Sequence, residues 1–140
     1  MNYYKAKTKE DFKFIASLFR VDNTQYMLNK KVDYKSLMEA NELKQKHNFI
    51  VAINDKKVAW FNIFQSVNKE RVNMGMIVDK EHQGQGYAQK IMEIIEKEAK
   101  ELGAKKIRLN VFEDNIAAVH VYKKAMFKEA GRLINMEKEI

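Results

Sequence analysis

From Ala88 to Leu102 the apolar residues Ala88, Ile91, Met92, Ile95, Ala99 and Leu102 keep the i, i+3, i+4, i+7 interval. Lys90, Glu93, Glu96, Lys97 and Lys100 occupy the other faces. That period makes an amphipathic helix, and its apolar stripe must be buried against another layer. Gly103 is placed to end it. A strand-like run, "RVNMGMIV" (71–78), comes just before, joined to the helix by "DKEH" and "QGQGYA". Strand, glycine-bearing turn and long amphipathic helix in succession call for helices packed on a sheet, which is an α/β class.

The flanking sequence supplies the rest of that sheet. "NYYKAK" reads as a first strand, and Thr8 followed by Asp11 resembles a capping box opening a helix to about Arg20. Tyr34 to about Lys46 reads as a second helix. "NFIVAIND" and "KVAWFNIFQS" are strands around an Asn54-Asp55-Lys56 turn. Gly75 inside "RVNMGMIV" signals a bulge or a close backbone approach. Beyond Gly103, Ile107, Leu109 and Val111 alternate with polar residues as a half-buried strand. Ala118, Val121, Tyr122 and Ala125 give a short helix, and two more strands are expected from Phe127 to Ile140. Middle strands joined by hairpins make the sheet mixed. At 140 residues the span 1–140 reads as one domain.

Composition narrows the chemistry. With no cysteine, disulfides, thiolate nucleophiles and cysteine-based zinc sites are excluded. No apolar run approaches the roughly 20 residues of a membrane span, so a cytoplasmic protein without a membrane partner is expected. The net charge of +7 favours anionic partners. Its lysines and arginines are interleaved with 19 acids, however, and no docking motif accompanies them, so nucleic acid is not an expected partner.

"QGQGYA" entering a helix makes a sensible anion site, because glycines let the backbone approach a ligand and the first turn leaves N–H groups unpaired. It is not a P-loop, since Tyr87 and Ala88 follow Gly86 where Lys-Ser/Thr belongs. It is not a dinucleotide fingerprint either, since Gln89 stands at the third glycine. On this stretch alone, a plain tight turn is an equal reading.

Two signatures together change that balance. "VDKEHQGQGYAQKIM" resembles the acetyl-coenzyme A loop of the GNAT N-acetyltransferase superfamily, Gln/Arg-x-x-Gly-x-Gly/Ala: Gln83, Gly86 and Ala88 match, and Gly84 fills a common variant. Downstream, "NIAAVHVYKKAMF" is similar to the family's Asn-x-x-Ala-x-x-x-Tyr and Lys-x-Gly-Phe, matched by Asn115, Ala118, Tyr122, Lys124 and Phe127, with Met126 in place of the glycine. The resemblance implies about seven strands in a mixed, mostly antiparallel sheet with four helices and a splay between the fourth and fifth strands. It implies acetyl-coenzyme A as acyl donor, no metal, and a small-molecule or peptide amine as acceptor. Pantetheine would lie along the backbone of Ile77 and Val78, and pyrophosphate on the N–H groups of Gln83, Gly84, Gln85, Gly86, Tyr87 and Ala88. Asn115 and Lys124 would be further cofactor contacts, and Tyr122 the general acid for the leaving thiolate. Monomers and homodimers both fit the family.

Read without the resemblance, Tyr122 is a core aromatic on a helix face and Asn115 an N-cap; capping and cofactor contact can coexist. The carboxylate that many relatives carry on the fourth strand is missing, with Asn73 near its position. A low-pKa amine, a water relay, or a base such as Asp22 would each meet that lack. Asp22, Tyr26, Trp60 and Asn73 are candidate acceptor-site residues, with Phe19 and Arg20 as further wall residues. His47, His82 and His120 lack metal-ligand spacing on one helix face and read as structural or solvated. A catalytically silent coenzyme A-binding module or sensor is the alternative that Asn73 keeps open.

Overall fold

The computed structural model describes residues 1–19, 33–43 and 45–140. Among them one sheet runs in the order β1-β2-β3-β4-β5. Its strands are β1 (Asn2–Lys5), β2 (Lys46–Ile53), β3 (Lys56–Gln65), β4 (Arg71–Val78) and β5 (Lys106–Arg108). Four helices accompany it, α1 (Lys9–Leu18), α2 (Tyr34–Asn41), α3 (Tyr87–Glu101) and α4 (Ile116–Lys124), with a 3-10 turn at Lys80–His82. Strands β1 to β4 pair antiparallel. β5 runs parallel to β4 because α3 carries the chain back across the sheet first.

Side-chain alternation divides the core between the two faces. Phe49, Val51, Phe61, Val72 and Met74 pack with Ile91, Met92 and Ile95 of α3. On the opposite face Ile50, Trp60 and Ile77 pack with Phe12, Ile15 and Leu18 of α1. The predicted apolar stripe of α3 is thus its buried one. The β2–β3 hairpin turns on Asn54 (φ 49°) and Asp55 (φ 64°), a two-residue loop of left-handed residues whose twist matches the strands. The helix expected to reach Lys46 ends at Asn41, and β2 begins at Lys46.

The capping box at α1 is present in full: the Asp11 amide donates to Thr8 Oγ1 at 3.1 Å, and the Thr8 amide donates to Asp11 Oδ2, also at 3.1 Å. Asp11 does more than cap, since its buried carboxylate takes a 2.9 Å ion pair from Lys57 on β3 and so ties helix to sheet. Burial alone would raise its pKa, but hydrogen bonds from the Lys7 amide, Lys57 and the Thr8 amide outweigh it and hold the group at about 2. A depressed carboxylate stabilises the fold above its unfolded pKa, near 4, and loses that contribution as pH falls toward 2. About 2 kcal/mol should disappear across that window. Denaturant midpoints measured from pH 5 to 2 should fall less steeply for Asp11→Asn than for the unmodified protein.

Helix α4 ends in a Schellman motif, with the Phe127 amide donating to Tyr122 O at 2.9 Å and the Met126 amide to Lys123 O at 3.0 Å. That geometry puts Met126 at φ 72°, a conformation costing an L-residue about 1–2 kcal/mol. The Met126 side chain is 81% exposed and returns little packing. Met126→Gly should therefore stabilise the protein by about 1 kcal/mol, read as a melting temperature higher by about 3 °C.

Among the described residues the sheet has five strands, not the expected seven. β5 ends at Arg108, and residues 109–112 and 125–140 form no strand. Leu133, Ile134 and Met136 have the apolar character of strand residues yet are 75%, 86% and 87% exposed. Strand propensity is realised only against a partner edge, and this segment pairs with none.

Candidate active site

β4 and β5 stay paired for only a short distance, through Arg71↔Lys106, Val72↔Ile107 and Asn73↔Arg108. β4 then continues to Val78, and among the described residues no strand pairs with it on that edge. Which amides this leaves open follows from the alternation of an antiparallel ladder. The Asp79 amide donates to Val58 O and the Ser66 amide to Arg71 O, so the odd residues of β4 bond toward β3. Met76 and Val78, beyond the last β5 pair, therefore turn their N–H and C=O groups toward the open side. Ile77 is one of the odd residues: its amides face β3, and its side chain is buried with Trp60. The open backbone groups beside Ile77 belong to Met76 and Val78. The β3–β4 register runs unbroken from Val78 to Val72, so Gly75 marks no bulge. It marks a close approach instead, since a Cβ there would stand 3.1 Å from Asn62 Oδ1.

The chain leaves β4 through the 3-10 turn and reaches α3 by way of Gly84 (φ 76°) and Gly86 (φ 82°). Both are left-handed, and nothing lies within 4 Å of a Cβ built on either. Backbone conformation, not crowding, selects glycine here, and the space beside it is open. Gly86 is the N-cap of α3 and offers no side-chain oxygen, so the first-turn N–H groups have no side-chain partner. Together with the helix dipole they form a concave set of donors suited to a pyrophosphate. Gln83, Gln85, Tyr87 and Ala88 frame it. Gln83 Nε2 donates to Val78 O at 2.9 Å and Gln85 Nε2 to Glu81 O at 3.3 Å, bracing the turn from both sides.

Tyr122 lies on α4 within the same apolar cluster as Met76, Val78 and Tyr87. Its ring meets Phe127 edge-on at 5.9 Å. Burial pushes its phenol above the ordinary value, so it remains a proton donor throughout the neutral range. Asn115 caps α4, its Oδ1 accepting from the Ala118 amide at 3.3 Å, and Lys124 is exposed on the last turn. Gln89 was not singled out by the sequence, yet its Nε2 reaches Val121 O at 3.3 Å and ties α3 to the helix that carries Tyr122.

On the α1 face of the sheet, Trp60 Nε1 donates to Asn48 Oδ1 at 3.0 Å, and Asn48 Nδ2 donates to Asn41 Oδ1 at 3.1 Å. Phe19 packs against Trp60 at 5.5 Å. Trp60 is thus a core residue. Asn73 shares this face with Gly75, two residues away on β4. Arg20, Asp22 and Tyr26 lie outside the described residues. His47 Nε2 lies 3.3 Å from Gln65 Oε1, and His120 is exposed. Asp79, Glu81 and His82 bring ligand atoms within 4.8 Å of one another. Asp79 also caps the 3-10 turn and Glu81 pairs with Lys56 at 3.5 Å, so both carboxylates already serve the fold. No helix among the described residues is long and apolar enough to cross a membrane.

The profile of the acetyltransferase (GNAT) family matches residues 13–127. Among solved structures, spermidine N-acetyltransferase from Vibrio cholerae in complex with CoA and spermine superposes with a TM-score of 0.82 at 21% identity, over 95% of this chain and 83% of that one. A point mutant of the BH1408 protein from Bacillus halodurans gives 0.81 at 16% identity, over 99% and 100%. The smu.2055 protein of Streptococcus mutans gives 0.79 at 21%, over 95% and 87%. No curated protein matches the sequence.

Proposed function

This chain belongs to the acetyltransferase (GNAT) family, and from that premise we propose that it moves an acetyl group from acetyl-coenzyme A to a primary amine, by direct attack with both substrates bound. One observation carries the reading: an unpartnered edge of β4 ends in a left-handed glycine turn at the head of α3. The edge amides of Met76 and Val78 suit a pantetheine arm, and the N–H groups from Gln83 to Ala88 suit its pyrophosphate. The structural neighbour that binds CoA and spermine lends support to an amine as acceptor.

Acetyl-coenzyme A supplies an activated thioester; the rest falls to the protein. The Met76 N–H, in the middle of the open edge, is the donor that would polarise the thioester carbonyl. The amine nitrogen bonds to the acetyl carbon as the C–S bond breaks, and its proton passes to water. Tyr122 donates its phenolic proton to the departing sulfur. Thiol and phenol differ by about 2 kcal/mol in acidity, so a strong hydrogen bond serves nearly as well as full transfer. No carboxylate occupies the Asn73 position, which favours an acceptor that is partly unprotonated at neutral pH, or a water relay. The same gap is what supports a second reading, a silent coenzyme A sensor.

Incubation with acetyl-coenzyme A and a panel of primary amines, followed by the release of free thiol, tests the proposal. Amine-dependent release supports transfer. Binding with no release on any amine would leave the sensor, and absence of binding would remove both.

A further inference from the structure

The α1 face of the sheet carries, below Trp60, a row of buried and half-buried side chains. Register places Asn48 beside Asn62 and Asn62 beside Gly75, then Lys46 beside Phe64 and Phe64 beside Asn73. Arg71 follows Asn73 by two residues on the same strand and so shares the face. Below Trp60 this shelf is built from amides, one aromatic ring and the cations Lys46 and Arg71, and pairing sets Lys106 and Arg108 of β5 on the same face beside Arg71 and Asn73. Lys46 Nζ stands 5.9 Å from the Phe64 ring centroid. Arg71 Nε is buried from water and has no hydrogen-bond partner. Among the described residues neither Lys46 nor Arg71 is in an ion pair, and no strand position on the shelf holds a carboxylate. Where the shelf meets the end of α2, a groove of about 310 Å³ adds Lys5 and Lys7, with Glu42 as its one acid.

We infer that the acceptor is an amine that also carries a carboxylate, with the carboxylate bound at the Arg71 end of this shelf. The inference rests on the acetyltransferase reading above and narrows it. Only Nε of the Arg71 guanidinium is closed to water, and a guanidinium is a planar fork whose remaining N–H groups a carboxylate meets with both oxygens. From Gly75 to Arg71 the strand covers about 13 Å, so amine and carboxylate are separated by several bonds. Asn62, Asn73 and Phe64 line the interval with uncharged surface. A polyamine would set its second ammonium against Lys46 and Arg71, where no strand residue of the shelf among the described residues carries a carboxylate.

Two substrate pairs isolate the carboxylate: lysine against cadaverine, and ornithine against putrescine. With acetyl-coenzyme A saturating, the unmodified protein should favour each amino acid over its diamine by at least tenfold in kcat/KM. In Arg71→Gln that preference should collapse toward unity, through KM and not kcat, with the melting temperature little changed. Diamines used as well as, or better than, the amino acids would overturn the inference and leave the acetyltransferase reading intact. An unchanged preference in Arg71→Gln would overturn it equally, as would transfer to none of the four by a protein that binds acetyl-coenzyme A. Failure to bind acetyl-coenzyme A would instead overturn the acetyltransferase reading on which it rests.

Discussion

Gly86→Glu should weaken acetyl-coenzyme A binding by at least a hundredfold, about 2.7 kcal/mol or more, while the protein stays folded. Two effects add. At φ 82° any L-residue is strained by about 1–2 kcal/mol, and the new carboxylate would occupy the space intended for phosphate. Because nothing lies within 4 Å of the added Cβ, the free protein has no clash to relieve. Gly86→Ala separates the two contributions, keeping the strain and omitting the charge. Titration calorimetry on the three proteins should rank them Gly, Ala, Glu in falling affinity, with the larger gap at the last step. Equal affinity of all three would mean that the glycine turn is only a turn.

Tyr122→Phe is expected to lower kcat by about 10²- to 10³-fold, the range in which a positioned proton donor contributes. KM for both substrates should change little, because the ring and its edge contact with Phe127 remain. The pH profile offers a second check. Burial raises the phenol above its ordinary value, so Tyr122 keeps its proton as pH rises through the neutral range. The alkaline limb of kcat should not fall until pH passes about 10. A Phe variant with unchanged kcat would assign Tyr122 to the core alone and leave transfer to proceed without it.

Long periodic elements and local chemistry were the most legible parts of the sequence. Helix α3 was readable from Ala88 to Leu102 because its stripe answers to a whole layer of β-sheet. Thr8 and Asp11 were readable because a capping box is closed within a few residues. The two terminal strands were misread, since the alternation of Leu133 to Ile140 states a preference and not a partner. Gly75 left two readings open, and only the unbroken β3–β4 register decides for close approach to Asn62. In the candidate site, the glycine cradle and Tyr122 sit on contiguous motifs and were visible as such. Asn62, Lys46 and Arg71 were not, for they come from three strands and meet only through pairing. Their alternation within each strand was a usable signal, but it becomes a surface only once register is known. The same holds for the lone Nε of Arg71, whose isolation is a property of burial.

The short seam between β4 and β5 has a thermodynamic corollary. A sheet held on one side by three residue pairs has little there to resist local opening, and such seams are where amide protons exchange first. A ligand that hydrogen-bonds along Met76 to Val78 would act as a temporary strand, so its binding energy would also be folding energy. At a hundredfold excess over Kd that linkage is worth about 2.7 kcal/mol. The fold would then be tightest when the acyl donor is abundant, and cellular donor supply would set how long the chain resists proteolysis.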